Sequence, residues 1–511
     1  MKQEFFIPGK LSVILDASAG SSGKGKIGSY VTMVNKGKYH FVCNAFTSQA
    51  SHWVYDKDYP ELCYKQFNSN AHRHEEFEKM YIGHGAVIDL KALAKEIEMT
   101  GIPRNKIGIS PLTGIVQDND RLYEEGKVDL AGNEAMHMGT ISNGSTCSGV
   151  GVTRARRVLR DKNILLAKDV PELADLICDV PGEILDRLNK GQSGLLEICQ
   201  GFQLSNGYKF YPAVTSRNIT IAAGLDDMFL PVTVLGNVML NLRTFPIRIA
   251  SKKYIAGGKV IFQLDKSVED IQDEITPNSV AYVDNLLKTA GFENHGYDIS
   301  CVQVFNPGKV TEGEMTSRKA VVTAEVNNKG KHLTYAEVQS GIFGYEEVSS
   351  YSGDGYEDQH EITWEEVEAG YGQVIPDDIK LTSLTKLMRR VFTFSQQNLK
   401  DAIIYNQTPH TVFLSLNFVN WIDGKMEGAT KWADITAPVV EWIDKNIHPA
   451  VRYLHDEYGF ENVRLGYLGT SRYTEDTIDL TGLEADADGY IRNGAFAPVE
   501  ESAIKSEHRT A

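Results

Sequence analysis

A buried strand that runs directly into a glycine loop and then a helix leaves few folds open to this chain. The stretch Leu11-Ser-Val-Ile-Leu-Asp-Ala-Ser-Ala-Gly-Ser-Ser-Gly-Lys-Gly-Lys-Ile-Gly-Ser29 has that form. Leu11 to Leu15 is an apolar run broken only by Ser12, as in a parallel strand covered on both faces. Gly20, Gly23 and Gly25 are interleaved with Ser21, Ser22, Lys24 and Lys26, and Ile27, Tyr30, Val31 and Val34 then follow helical spacing. Such a turn points backbone N–H groups and a positive helix end at an anion, and lysines add charge for a polyphosphate. It is not a Walker A motif, because Gly-x-x-x-x-Gly-Lys-[Ser/Thr] is absent. The competing reading is an ordinary glycine-rich turn with solvated lysines.

The rest of the chain repeats the theme. Tyr39–Cys43, Met80–Ile88, Lys106–Ile109, Gly194–Gly201, Thr411–Asn420 and Asn462–Tyr467 read as strands or strand–turn–strand segments. Asp89 to Glu98 reads as an amphipathic helix with Asp89 as its N-cap. Alternating strands and helices predict an α/β fold around a mainly parallel sheet. Polar residues at the carboxyl ends of such strands, as at Glu197, Gln200 and Gly201, lie where open α/β sheets take ligands. Residues 144–157 pass from small and hydroxyl residues into Arg154, Arg156 and Arg157, a composition suited to an anion. Residues 251–350 change character, with strands at Lys259–Leu264, Ser300–Phe305 and Lys319–Val326 and a helix near Asn278–Gly291. The expected organisation is a core over 1–250, an inserted α+β region over 251–350, the rest of the core over 351–480, and an acidic, poorly ordered tail over 481–511.

With 511 residues and a formal net charge of −16, general nucleic-acid binding is excluded and any anionic ligand must be met by local basic clusters. No apolar run is long enough to span a membrane. The six cysteines lack Cys-x-x-Cys spacing and several sit in apolar runs. Reduced thiols and a cytoplasmic setting are therefore expected. The acidic loop Ser352–Trp364 could group Asp354, Asp358, His360 and Glu361 around a metal, but a solvated loop is the more ordinary reading. The basic stretch Lys380–Val391 suits a carboxylate or phosphate, or an exposed helix face.

Taken in order, these motifs resemble the adenylosuccinate synthetase family. Gly20-Ser-Ser-Gly-Lys-Gly-Lys26 corresponds to its Gly-Asp-Glu-Gly-Lys-Gly-Lys, and Gln49-Ala-Ser-His52 to its Asn-Ala-Gly-His. Gly144–Gly151 with Ala155-Arg-Arg157, Glu197–Gly201 and Tyr211–Asn218 match three further family segments. The resemblance covers roughly residues 10–250 and 350–475. It implies a P-loop-like adenylosuccinate synthetase fold with an added α+β insertion. It also implies a ligase that phosphorylates O6 of a purine nucleotide and then displaces the phosphate with the amine of L-aspartate.

Three departures resemble the phage branch of that family, which uses dGMP, L-aspartate and ATP to make N6-succino-2-amino-2′-deoxyadenylate. Ser21 stands where the family has its catalytic Asp. The guanine-reading Thr-Lys-x-Asp becomes Leu416–Asn420, which makes ATP or dATP the expected donor. The Arg-rich aspartate loop is reduced to Thr385–Arg390.

The resemblance assigns catalysis to Ser21, Lys24, His52 and Gln200. It assigns ATP and its phosphates to Gly20, Ser22, Gly23, Lys24, Gly25, Lys26, Asn417, Asn420 and Gly469. The dGMP site takes Ser21, Gln49, Ser145, Thr146, Arg156, Gln200 and Thr215, and aspartate takes Thr385, Lys386, Arg389 and Arg390. Mg²⁺ would sit at Ser21 and Ser51. A homodimer is implied, with Arg156 reaching across its interface, and a host cytoplasm if the chain is of phage origin. His52 would act as a general acid toward the β/γ bridge oxygen or as an electrophilic clamp. Serine, smaller than Asp and able both to donate and to accept, leaves room for a 2-amino group. The acceptor of the N1 proton stays open between water and the substrate phosphate. The alternatives are an ordinary adenylosuccinate synthetase using IMP and GTP, a non-catalytic nucleotide sensor, and a relative that aminates another 6-oxopurine.

Overall fold

The structure is a computed structural model. It describes residues 4–482 except 60, 130–131, 133–145, 249–251, 265, 267, 269, 272–278, 294–296, 306–319, 327–332, 334–336, 338–339, 350–354 and 382–387. The chain forms two compact units, one of residues 1–248, 352–380 and 390–511, the other of 249–351 and 381–389. The first is built on a nine-stranded sheet. Its order is Thr477–Asp479, Val463–Gly469, Val412–Asn417, Leu235–Arg243, Leu11–Asp16, Gly194–Gly201, Phe41–Asn44, Lys79–Ile82, Ile107–Ile109. Eight strands run parallel and the edge strand Thr477–Asp479 is antiparallel. Leu11–Asp16, Leu235–Arg243 and Val412–Asn417 are buried along their whole length, as largely apolar strands are when helices cover both faces.

Sequence and local structure agree closely along this unit. Helix Leu90–Thr100 starts at Asp89, whose carboxylate accepts from the amides of Lys91 and Ala92, and stops at Gly101 in the left-handed conformation. The expected strand Thr411–Asn420 ends at Asn417, because Phe418 turns to φ +63° and residues 419–421 wind into a short 3₁₀ turn.

The second unit is a four-stranded antiparallel sheet, ordered Ile299–Phe305, Ala320–Val326, Lys252–Leu264, Phe343–Ser349, with helix Ser279–Thr289. Val260, Phe262, Val283, Leu287, Val322 and Phe343 form its own core. Among the described residues no helix is long and apolar enough to cross a membrane. The tail from 483 onward lies outside the described residues.

Candidate active site at the carboxyl edge of the sheet

The parallel register sets the carboxyl ends of the strands side by side, so Asp16, Asn44, Gln200, Arg243, Asn417 and Gly469 share one edge. The glycine loop leaves this edge after Asp16. Gly23 sits at φ +85° and opens helix Lys24–Val34 with no side-chain cap. A Cβ on Gly25 would meet the Trp53 carbonyl at 2.6 Å, so only glycine lets the helix lie this close to the strand His52–Val54. Ser21 also holds the left-handed conformation, φ +59°, and its side chain is exposed at the loop's apex.

Lys24 is buried and its ammonium donates to the Gln200 carbonyl at 2.6 Å, with an oxygen of Asp16 at 3.5 Å. Gln200 is itself at φ +62°, and its side-chain oxygen is buried with no hydrogen-bond partner among the described residues. Beside it, His52 Nδ1 lies 2.8 Å from Glu197 and the ring stacks on Phe46 at 4.0 Å. The Ser69 amide and hydroxyl donate to the other Glu197 oxygen. Burial holds His52 below the usual imidazole value, while hydrogen bonding to Glu197 pulls the other way. Burial alone would raise the Glu197 carboxyl. The His52 bond and the Ser69 bonds outweigh it and hold the group below the usual value. A carboxylate only accepts, so Nδ1 carries hydrogen and Nε2 keeps the lone pair. The partnership of His52 with Glu197, 145 residues apart, was not legible in sequence.

One assignment changes. Lys26 does not face the loop. It is buried, and its ammonium donates to the carbonyls of Ser471 at 2.8 Å and Asp476 at 2.7 Å. It latches the loop to the segment between Val463–Gly469 and Thr477–Asp479. Gly469 is glycine because a side chain there would strike Asn417 and Lys26. Desolvation pulls Lys26 down to about 7, against the pull of Asp476, Glu427 and Glu475. The unfolded chain therefore binds a proton that the folded one releases between about pH 7 and 10.5, and stability rises with pH across that window. Thermal melts between pH 7 and 9.5 should show a steeper rise for the native protein than for Lys26→Met. Equal slopes would remove Lys26 as the source.

Arg156 also makes contacts that the sequence did not suggest. Its guanidinium binds Asp120 at 2.9 Å and Asp161 at 2.8 Å within its own chain, where it braces helix Val150–Val158. Arg154 and Arg157 leave the other side of that helix and donate to the carbonyls of Gly85 and His84. Arg217, buried and paired with Asp227 at 2.5 Å, stands beside Arg154. Three guanidinium groups thus gather around Asp227, and burial lowers Arg154 and Arg157. Gln49 donates to the Thr215 hydroxyl nearby at 3.4 Å, and Thr146 bonds Ser148 at 2.9 Å.

On the far flank of the loop, Asn417 donates to the Ser22 carbonyl at 2.9 Å. Arg243 donates to the Ser21 carbonyl at 2.5 Å and lies over the neighbouring rings of Phe418 and Trp421, at 4.1 and 4.3 Å from their centroids. Asn420 is buried; its amide nitrogen donates to Glu427 at 2.7 Å, and its oxygen has no hydrogen-bond partner among the described residues. Tyr371 donates to the same Glu427 oxygen at 3.0 Å. None of Arg243, Glu427 or Tyr371 was singled out by sequence.

Ser145, Thr385 and Lys386 lie outside the described residues. Arg389 belongs to the second unit, and Arg390, in the first, pairs with Glu361 at 2.6 Å. Ser51 directly precedes His52 and is half-buried. In the acidic loop, Asp358 accepts from Ser395 and the Gln397 amide and so caps helix Gln396–Ile404. Asp354 is outside the described residues.

No protein-family model matches the chain. Over 175 residues it is 30% identical to the adenylosuccinate synthetase of Methanocaldococcus jannaschii, a match covering 34% of this chain and 48% of that relative. Over 248 residues it is 29% identical to the N6-succino-2-amino-2′-deoxyadenylate synthase of Vibrio phage phiVC8, covering 47% of this chain and 68% of that relative. The chain therefore spans about half the length of the archaeal relative and two thirds of the phage one. Its fold is similar to that of cyanophage S-2L succinoaminodeoxyadenylate synthetase, solved with dGMP and dATP as an energy donor. The TM-score is 0.57 at 20% identity, over 92% of this chain and 95% of that one.

Proposed function

We propose that this chain, a relative of the adenylosuccinate synthetases, is an ATP-dependent ligase. It would join L-aspartate to C6 of dGMP to give N6-succino-2-amino-2′-deoxyadenylate. The observation that carries the reading is the meeting of Lys24, Gln200 and the His52–Glu197 pair at the foot of a glycine loop whose apex is Ser21 rather than a carboxylate. In the first step the γ-phosphoryl of ATP passes to O6 of the purine, releasing ADP. In the second the aspartate amine attacks C6, and O6 departs with the phosphate. Phosphoryl transfer needs positioning and charge neutralisation more than covalent help. Lys24 supplies a charge already fixed at the Gln200 carbonyl. His52 gains a proton at Nε2 as the anionic phosphate comes beside it, and then serves as acid or clamp toward the bridge oxygen.

Ser21 and Ser51 would hold Mg²⁺ together with phosphate oxygens, a set of hard oxygen donors that suits this ion. When bound it would neutralise charge on the β- and γ-phosphates. The 5′-phosphate would be met by Thr215, Gln49 and Thr146 with Arg154, Arg157 and Arg217. Arg390, paired with a surface Glu361, is able to exchange that partner for a substrate carboxylate. A homodimer rests on the family likeness alone, and sedimentation equilibrium tests it.

Asn420 supports ATP over GTP as donor. A carboxylate cannot donate, so the atom facing Glu427 is the amide nitrogen, and the side chain is left offering its oxygen. An acceptor suits the 6-amino group of adenine and opposes the 6-oxo group of guanine. Glu427→Gln frees the amide to turn over, and the ATP-over-GTP preference in kcat/KM should fall about tenfold, the equivalent of one hydrogen bond. An unchanged ratio would detach Asn420 from base selection.

The deciding assay incubates the protein with aspartate, Mg²⁺, ATP or GTP, and each of GMP, dGMP, IMP and dIMP, then reads product mass. Formation of the succino adduct from dGMP is expected. Consumption of IMP but not dGMP would overturn the substrate assignment, and nucleotide binding without phosphate release would favour a sensor.

A further inference from the structure

We infer that Asp16, which lies in none of the matched motifs, is a positioning residue for the phosphate loop, closing it into a ring and supplying the resting counter-charge for Lys24. The inference rests on the reading of this loop as the site of phosphoryl transfer.

Asp16 is the last residue of the central strand and is wholly buried. One carboxylate oxygen accepts from the Ser18 amide at 2.8 Å, two residues on, which is an ordinary side-chain turn. The other accepts from the Ser22 amide at 2.9 Å, six residues on, and lies 3.5 Å from the Lys24 ammonium. One side chain thus ties the point where the chain leaves the strand to the point where it enters the helix. The loop between, with Gly20 and Ser21 both at positive φ, is fixed before any ligand arrives. A buried carboxylate and a buried ammonium each need a partner to be tolerated, and here each has the other. The ammonium has a second hold at 2.6 Å on the Gln200 carbonyl, shorter than its 3.5 Å approach to Asp16. It can pivot on that carbonyl, leave Asp16 and meet an incoming phosphoryl group without losing its place. Asp16 keeps its two amides throughout.

Asp16→Asn keeps the shape and removes the charge. The expected result is a drop of at least tenfold in kcat/KM for ATP with a cooperative melt. A residue that only braces the fold would lower the melting temperature and leave the kinetics in place. That outcome overturns the inference. Should the variant not fold, hydrogen exchange on the native, nucleotide-free protein decides instead. The Ser18 and Ser22 amides should be protected, and exchange at open-loop rates overturns the inference equally. A native protein that forms no product with any donor would instead overturn the reading on which it stands.

Discussion

Alanine at position 52 should lower kcat by about 10²–10⁴-fold, the range for a positioned acid–base group. The ring is held on three sides. Glu197 fixes Nδ1 at 2.8 Å, Phe46 lies against one face, and the surroundings are dry. Only Nε2 remains for chemistry, and the burial that lowers the ring's proton affinity keeps it neutral until an anion arrives. Loss of the ring should therefore appear mainly in kcat, because binding of the triphosphate depends on the loop and Lys24. The limb of kcat/KM along which rate is lost as pH rises reports this proton in the free enzyme, and it should lie below the ordinary imidazole value of about 6.5. Glutamine at 52, able to donate but not to titrate, should restore part of the rate if the ring is a clamp and none if it is an acid. Near-native turnover of His52→Ala would remove the residue from either role.

Ser21→Asp should exchange one purine for another. The substitution fits the backbone, since Asp tolerates the left-handed conformation that Ser21 adopts. The side chain is exposed at the loop's apex, so the fold should not register the change. Its effect should fall on the ligand. A carboxylate there would crowd the 2-amino group of guanine while favouring N1–H of hypoxanthine. We expect the ratio of kcat/KM for dGMP over IMP to fall by at least a hundredfold, as when a site's polar groups are mismatched to a substrate. Competition between the two nucleotides with product mass as readout measures it. An unchanged ratio would show that position 21 does not select the base.

The strands of the sheet were legible because a strand covered on both faces has to be largely apolar, and runs such as Leu11–Leu15 and Val412–Leu416 allow little else. The contacts of Lys26 and Arg156 were less so, although the spacing held a clue. Residues two apart on a helix point about 200° away from each other. Lys24 and Lys26 cannot both face one loop, and Arg156 must turn from the side that Arg154 and Arg157 share. A lone acidic residue after a strand has the sequence signature of a turn former, and the reach of Asp16's second oxygen to Ser22 is a property of the folded loop alone. Tyr371 reaches the Glu427 carboxylate that holds Asn420 only through tertiary packing, from 56 residues away.

The latch at Lys26 has a consequence for how the protein is made. Its acceptors are Ser471 and Asp476, 445 and 450 residues further along the chain. The glycine loop leaves the ribosome long before the groups that secure it. A nascent chain can pair its early strands long before it can hold a nucleotide, so the site should ripen only once the segment through Asp476 has emerged. Chains halted short of Ser471 would carry every residue of the loop and still lack the carbonyls that keep it in place.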